Sequence, residues 1–262
     1  MCTITRLFFK GLYTASVGGG WASLELPIFL YLCNMYPRFF KRVLDFFCAA
    51  AAILCLSPLL LVLTVLGAIK MRGNPFFTQP RPGKDERIFK LVKFRTMTNQ
   101  RDKAGNLLPD DVRLTKYGKF LRSTSLDELP ELFNILKGDM SVIGPRPQLV
   151  RDMVFMTPEQ RKRHTVRQGL SGLAQVKGRN AVTWETKIAY DLEYIKKITF
   201  WGDVKIILTT INKAFIKRAD ITEADCDTAT DLADYLLAQG RITREEYDRG
   251  QVEAKKLIAE AM

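Results

Sequence analysis

From Phe46 to Ile69 the chain carries no charged side chain. As α-helix these residues extend about 36 Å, which suits the hydrocarbon layer of a bilayer and is long for a helix buried in a globular core. Both flanks are positive. Lys41 and Arg42 precede the run, beside a lone Asp45, and Lys70 and Arg72 follow it. Positive flanks favour the cytoplasmic side, so both ends are drawn to one face, which a straight span cannot satisfy. Ser57-Pro58 stands mid-run. Proline removes a backbone donor and crowds the preceding turn, so the helix bends or breaks there. Two geometries stay open on these residues: a proline-kinked single span, and a helix-break-helix that enters one leaflet and returns, with Ser57 as a partner for the freed backbone. Kinked spans are common, and the residues alone favour that reading.

Ahead of this segment, residues 1–34 combine Arg6 and Lys10 with apolar, glycine-interrupted stretches and show no clear small-residue cleavage site. They read as a leader of doubtful relevance, with a start at Met35 opening the segment 35–72. Charge divides the remainder. The chain's net charge is +12, but residues 221–262 hold ten acidic and five basic side chains. The break falls at Arg218-Ala219-Asp220, so a basic unit over 73–220 and an acidic tail over 221–262 are expected to be separate. The tail reads as two helices around Gln239-Gly240-Arg241-Ile242, an accessory element suited to homo-oligomerisation.

Several classes of chemistry drop out. A single histidine, His164, argues against histidine-rich zinc sites. The five cysteines have no CxxC spacing, which fits a reducing compartment. Gly169 to Asn180 matches neither the dinucleotide fingerprint nor the P-loop. The basic excess needs an anionic partner, yet there is no basic-aromatic module, and nucleic acid is not expected.

Within 73–220, residues 73–87 read as a turn-rich loop and Ile88 to Met97 as a half-buried strand with Lys90, Lys93 and Arg95 near one surface. A short helix is expected over Leu114 to Leu121. Ser125-Leu126-Asp127-Glu128 has capping-box spacing, but Pro130 would then fall in the second turn. Pro130 fits better as the first residue of a helix to about Lys137, leaving Asp127 and Glu128 just ahead of it, able to face a ligand. Pro145-Arg146-Pro147 is a stiff turn presenting one arginine, suited to a phosphate or a flat base and equally readable as a surface turn. Arg161-Lys162-Arg163-His164 reads as a solvated or lipid-facing basic run. Trp184 to Lys197, containing Asp191, reads as a helix, and Phe200 to Arg218 as an amphipathic one that lies in the membrane interface or packs on the core.

In order, VLDF, SP, FTQPRPG, KFRTM, LRSTSLDELPELFNILKGDMSVIGPRP, RQGLSGLAQVKGRN and YDLEYI resemble the bacterial sugar transferase family of monotopic polyprenol-phosphate phosphoglycosyl transferases. The likeness covers roughly Tyr36 to Arg218 and is nearest the small members that start N-linked glycan assembly in Campylobacter. It implies transfer of a sugar-1-phosphate from a UDP-sugar to undecaprenyl phosphate with release of UMP. It also implies a re-entrant helix broken at Ser57-Pro58, reversing the preference for a simple span. The expected fold is a compact α/β catalytic unit on the cytoplasmic face of the bacterial inner membrane, flanked by interfacial helices. The family's catalytic pair falls on Asp127 and Glu128, with Asp127 forming a phosphoryl-aspartate and magnesium held by both. Lys93, Arg122, Arg146 and Arg179 are the matching cations, Pro145-Arg146-Pro147 would contact uridine, and Asp191 falls on an acidic position of unassigned role. The implied donor is an N-acetylated or deoxy-aminosugar nucleotide, with UDP-galactose or UDP-glucose the alternative. A membrane scaffold without catalysis is the competing reading.

Overall fold

The computed structural model describes residues 35–178, 182–215 and 230–261. The leader 1–34, Arg179 and the expected boundary at 218–220 lie outside them. A π-helical turn, Tyr36–Phe40, opens into α1 (Lys41–Met71). Among the described residues Tyr36–Met71 is the one helix long and apolar enough to cross a membrane. The expected interruption at Ser57-Pro58 is not a loss of helix, because α1 runs through Pro58. The physical reason is local. Pro58 has no N–H for the Leu54 carbonyl four residues back, and the Ser57 hydroxyl donates to that oxygen instead, at 2.8 Å.

One stripe of α1 faces protein along its whole length. Ala49, Ala52, Ile53 and Leu56 pack with Phe89, Leu91, Leu132, Ile135 and Met140. Leu60 and Leu63 pack with Phe94, Leu121 and Tyr117. Gly67 lies against Pro75, where a Cβ would come within 2.9 Å. The spacing of three and four residues is that of a single helix face. Other positions stay bare, with Leu54 76%, Leu61 66% and Ile69 64% exposed.

Polar clamps fix the start of α1. Arg42 donates to the Ile135 and Leu136 carbonyls at 2.6 and 2.9 Å, satisfying last-turn acceptors of α3 (Glu131–Lys137). Asp45 accepts from Ser141 Oγ at 2.7 Å and Val142 N at 3.0 Å in β3 (Met140–Ile143). Buried Asp203 accepts from Tyr36, Lys41 and Tyr194 at 2.7, 2.5 and 2.8 Å.

The sheets are small. β1 (Phe76–Pro82) pairs antiparallel with β2 (Ile88–Phe94), from Phe76 opposite Phe94 to Pro82 opposite Ile88. A loop was expected over 73–87. Pro80 and Pro82 are tolerated in β1 because a two-stranded sheet leaves each strand an edge with no donor required. β3 pairs in parallel with β4 (Gln168–Ser171). Between the sheets run α2 (Lys116–Thr124), two residues later than expected at its start, and α3, for which Pro130 is the N-cap. After β3 come α4 (Val150–Val154), α5 (Leu173–Lys177), α6 (Trp184–Lys196) and α7 (Phe200–Phe215). α7 buries Ile206 but leaves Trp201 76%, Leu208 62% and Ile211 49% exposed.

Two further expectations change. The run 161–164 is not a solvated face, since Arg163 and His164 are fully buried. The tail is not a separate unit. α8 (Leu232–Ala238) sets Leu232 and Leu236 against Met156, Trp184 and Ile188, and α9 (Arg244–Ala261) buries Ala254 against Val150 and Met153. Leu232, Leu236 and Ala254 of the tail are thus covered by residues of the preceding basic part of this chain.

Candidate active site

Asp127 and Glu128 sit on a 3-10 turn, Leu126–Glu128, between α2 and α3. The chain enters it through Ser125 at φ 55°, a left-handed conformation that a residue with a Cβ adopts at a cost of about 1–2 kcal/mol. Asn134 aligns this region with β2. Its side-chain amide donates to the Lys90 carbonyl at 2.8 Å and accepts from Val92 N at 3.1 Å, imitating a neighbouring strand along the free edge of β2. Lys93 has the strand parity of buried Phe89 and Leu91, not that of exposed Lys90, so it points inward under α3 rather than sharing one surface with Lys90.

Lys93 Nζ then bridges two carboxylates, Glu128 Oε1 at 2.8 Å and Glu131 Oε1 at 3.1 Å. Arg146 pairs with the same Glu128 oxygen from the turn after β3. Arg122 approaches from α2, its Nε on Thr96 Oγ1 at 3.2 Å. Its placement requires Gly118, whose Cβ would stand 1.9 Å from the Thr96 carbonyl oxygen.

The two adjacent carboxylates therefore differ. Glu128 is saturated on Oε1. Burial opposes its charge, yet Arg146 and Lys93 outweigh burial and hold its pKa well below the usual carboxylate range. Among the described residues no hydrogen bond or ion pair engages the Asp127 carboxylate. Burial first, and the Glu128 charge second, push it up to about 6 against the pull of Lys93, Arg146 and Arg122. Burial and Glu128 likewise push Glu131 up to about 7. Lys93 is raised, since Glu128 and Glu131 together outweigh its own burial.

The Arg146 turn is held at each residue. Gly144 N donates to Ser171 O at 2.9 Å and Gly169 N to Pro145 O at 2.8 Å. Arg163 donates to the Arg146 carbonyl at 2.6 Å and Arg81 to that of Pro147 at 3.3 Å. Arg163 is itself fixed by Asp191, at 3.0 Å from Nε and 2.7 Å from Nη2. Asp191 thus acts on the site through Arg163. Buried His164 is driven down to about 3, by burial first and then by Arg163 and Arg161, so it is neutral and no part of the cleft's charge.

The structure brings Lys93, Asp127, Glu128 and Arg146 together, with Arg122 beside them. It adds Glu131, Asn134 and Arg163, which sequence reasoning missed. Glu131 alone left a signal, three residues after Glu128. Among the described residues no group of three or more metal-ligating side chains occurs. The open Asp127 carboxylate and Glu128 Oε2 still suit a hard cation whose remaining ligands are substrate oxygens.

An open carboxylate framed by cations beside an apolar helix of membrane length suits a transferase handling an anionic substrate. The chain belongs to the bacterial sugar transferase family, whose model matches residues 36–217. It is 44% identical over 178 residues to the sugar transferase EpsL of Bacillus subtilis (strain 168), covering 68% of this chain and 88% of that protein. It is 40% identical over 204 residues to the UDP-glucose:undecaprenyl-phosphate glucose-1-phosphate transferase of Klebsiella pneumoniae, covering 74% of this chain and 44% of that one. Against the UDP-N-acetylgalactosamine-undecaprenyl-phosphate N-acetylgalactosaminephosphotransferase of Aeromonas hydrophila it is 41% identical over 181 residues, 66% of this chain and 43% of the other. The chain therefore spans less than half the length of these last two.

Proposed function

We propose that this protein transfers a sugar-1-phosphate from a UDP-sugar to undecaprenyl phosphate and releases UMP. The carrying observation is the asymmetry of the acidic pair: Glu128 is locked by two cations, while among the described residues none bonds or pairs with the Asp127 carboxylate. An Asp127 oxygen attacks the sugar-bearing phosphorus, the bond to the UMP oxygen breaks, and UMP leaves as the dianion. A phosphate oxygen of undecaprenyl phosphate then attacks the same phosphorus. The acyl-phosphate bond breaks and Asp127 is regenerated. Lys93, Arg122 and Arg146 offset the negative charge that gathers as these bonds change.

Arg146 and its flanking prolines contact the nucleotide, and Arg179, outside the described residues, completes the cationic set. Magnesium would be held by Asp127 and Glu128 with donor oxygens, and it supplies charge neutralisation of the diphosphate. The donor is an N-acetylated or deoxy-aminosugar nucleotide, with UDP-galactose or UDP-glucose the alternative. The relatives' names span both kinds of sugar.

α1 is read as re-entrant, with the catalytic unit on the cytoplasmic face of the inner membrane. The support is that Arg42 and Asp45 near one end, and Leu63 and Gly67 near the other, contact the same globular unit. Exposed Trp201, Leu208 and Ile211 of α7 offer an interfacial surface.

Nucleotide release by the purified protein, given magnesium, undecaprenyl phosphate and a panel of UDP-sugars, tests the reaction. UMP is expected from one donor, and it is lost in Asp127→Asn. Release of UDP would mean transfer of the sugar alone and would overturn the mechanism. Folded protein that releases nothing from any donor would favour a scaffold.

A further inference from the structure

The tail lies beyond the residues matched to the family, 36–217, yet it grips the segment that carries Arg146. The Gly144–Pro147 turn runs within three residues into α4, a helix of only five residues, too short to hold a position by its own hydrogen bonds. Asp152, 1% exposed, is the joint. Its Oδ2 accepts from Leu149 N at 3.2 Å, just after the turn, and its Oδ1 accepts from Leu232 N at 2.9 Å, the first residue of α8. Arg151 beside it pairs with Asp231 and Asp234 of the tail. Behind α4, Gly250 lets α9 approach until a Cβ would stand 2.3 Å from the Phe155 ring, and Tyr247 stacks on that ring at 6.3 Å.

We propose that Asp152 is a positioning residue and that the tail, through it, braces the Arg146 turn in the geometry that binds the donor. The proposal rests on the reading of Arg146 as a donor contact. The acidic residues Asp231 and Asp234 then serve an intramolecular clasp, and the tail acts on the donor half-reaction without touching substrate.

The test uses full-length protein in detergent and three variants. Gly250→Val forces branched carbons into Phe155 and lifts α9. Asp231→Asn with Asp234→Asn is a milder release of the clasp. Asp152→Asn leaves one of the two N–H groups without its acceptor. Hydrogen exchange is followed over 144–149 and 232–258, and KM is measured separately for UDP-sugar and for undecaprenyl phosphate. Exchange is expected to rise in 144–149 together with the tail. Donor KM should rise about fivefold or more, with acceptor KM unchanged. Exchange that rises in the tail while 144–149 stays protected overturns the brace, whatever reaction the protein performs. Donor and acceptor KM rising in step would mean general loss of structure and would overturn it too. If the unaltered protein releases no UMP from any donor, the donor reading fails, and exchange over 144–149 still decides the brace.

Discussion

Glu128 and Asp127 are adjacent in the chain and opposite in state, because two cations can saturate one carboxylate and leave the other to the field of its neighbours. In the proposed mechanism Asp127 must be ionised to attack. With its pKa near 6, the burst of UMP release before acceptor is added should rise as pH increases through about 6 and level off above 7. A burst independent of pH between 5 and 8 would remove Asp127 from the titrating step. Glu131 makes a stability prediction of definite sign. Folding raises its pKa from the usual ~4.3 to about 7, so the folded state binds this proton more tightly. Its contribution is fully present below the unfolded pKa and is lost as pH rises through 7. Glu131→Gln, which cannot ionise, should therefore gain in Tm relative to the unaltered protein between pH 6 and pH 8. A Tm difference constant over that range would show that Glu131 does not titrate there.

At the scale of elements, the site depends on how α3 meets β2. Asn134 is the only described side chain that bonds both a donor and an acceptor of that strand's free edge. Asn134→Ala strands Val92 N–H and the Lys90 carbonyl, a loss of about 2 kcal/mol read by denaturant unfolding. Because Lys93 is the next residue of the strand, the variant should also lose UMP release at temperatures where it remains folded. Full activity in a destabilised Asn134→Ala would separate the register of β2 from catalysis. Ser57 shows the same economy in α1, where one hydroxyl covers the carbonyl that Pro58 orphans and the helix continues.

For the whole molecule the question is which side of the bilayer each end of α1 faces. Helix length alone permits a span, but both ends touch one globular unit. Arg38→Cys and Arg72→Cys, placed singly in a background without native cysteines, should both be labelled from the cytoplasmic side and neither from outside. Labelling from opposite sides would end the re-entrant reading. The tail belongs to this scale as well. Its docking on α4 and α6 joins the acidic and basic parts into one folded body, as opposite charges do when apolar faces such as Leu232 and Trp184 meet beneath them.

Much of this was legible in the chain because it is local. An uncharged run of membrane length, a proline at its centre and an Asp-Glu pair ahead of Pro130 depend only on neighbours a few residues away, and helix periods and turn chemistry act over that range. The order of the family's motifs carried the cations Lys93, Arg122 and Arg146 in the same way. What the sequence could not determine was pairing across distance. Which carboxylate Arg146 would occupy, that Arg163 would be buried on Asp191, and that Asp152 would join the Arg146 turn to residue 232 depend on contacts separated by 18, 28 and 80 positions. Charge and burial have no periodicity that reports such partners, so only the tertiary structure decided which acid stays open and which are tied.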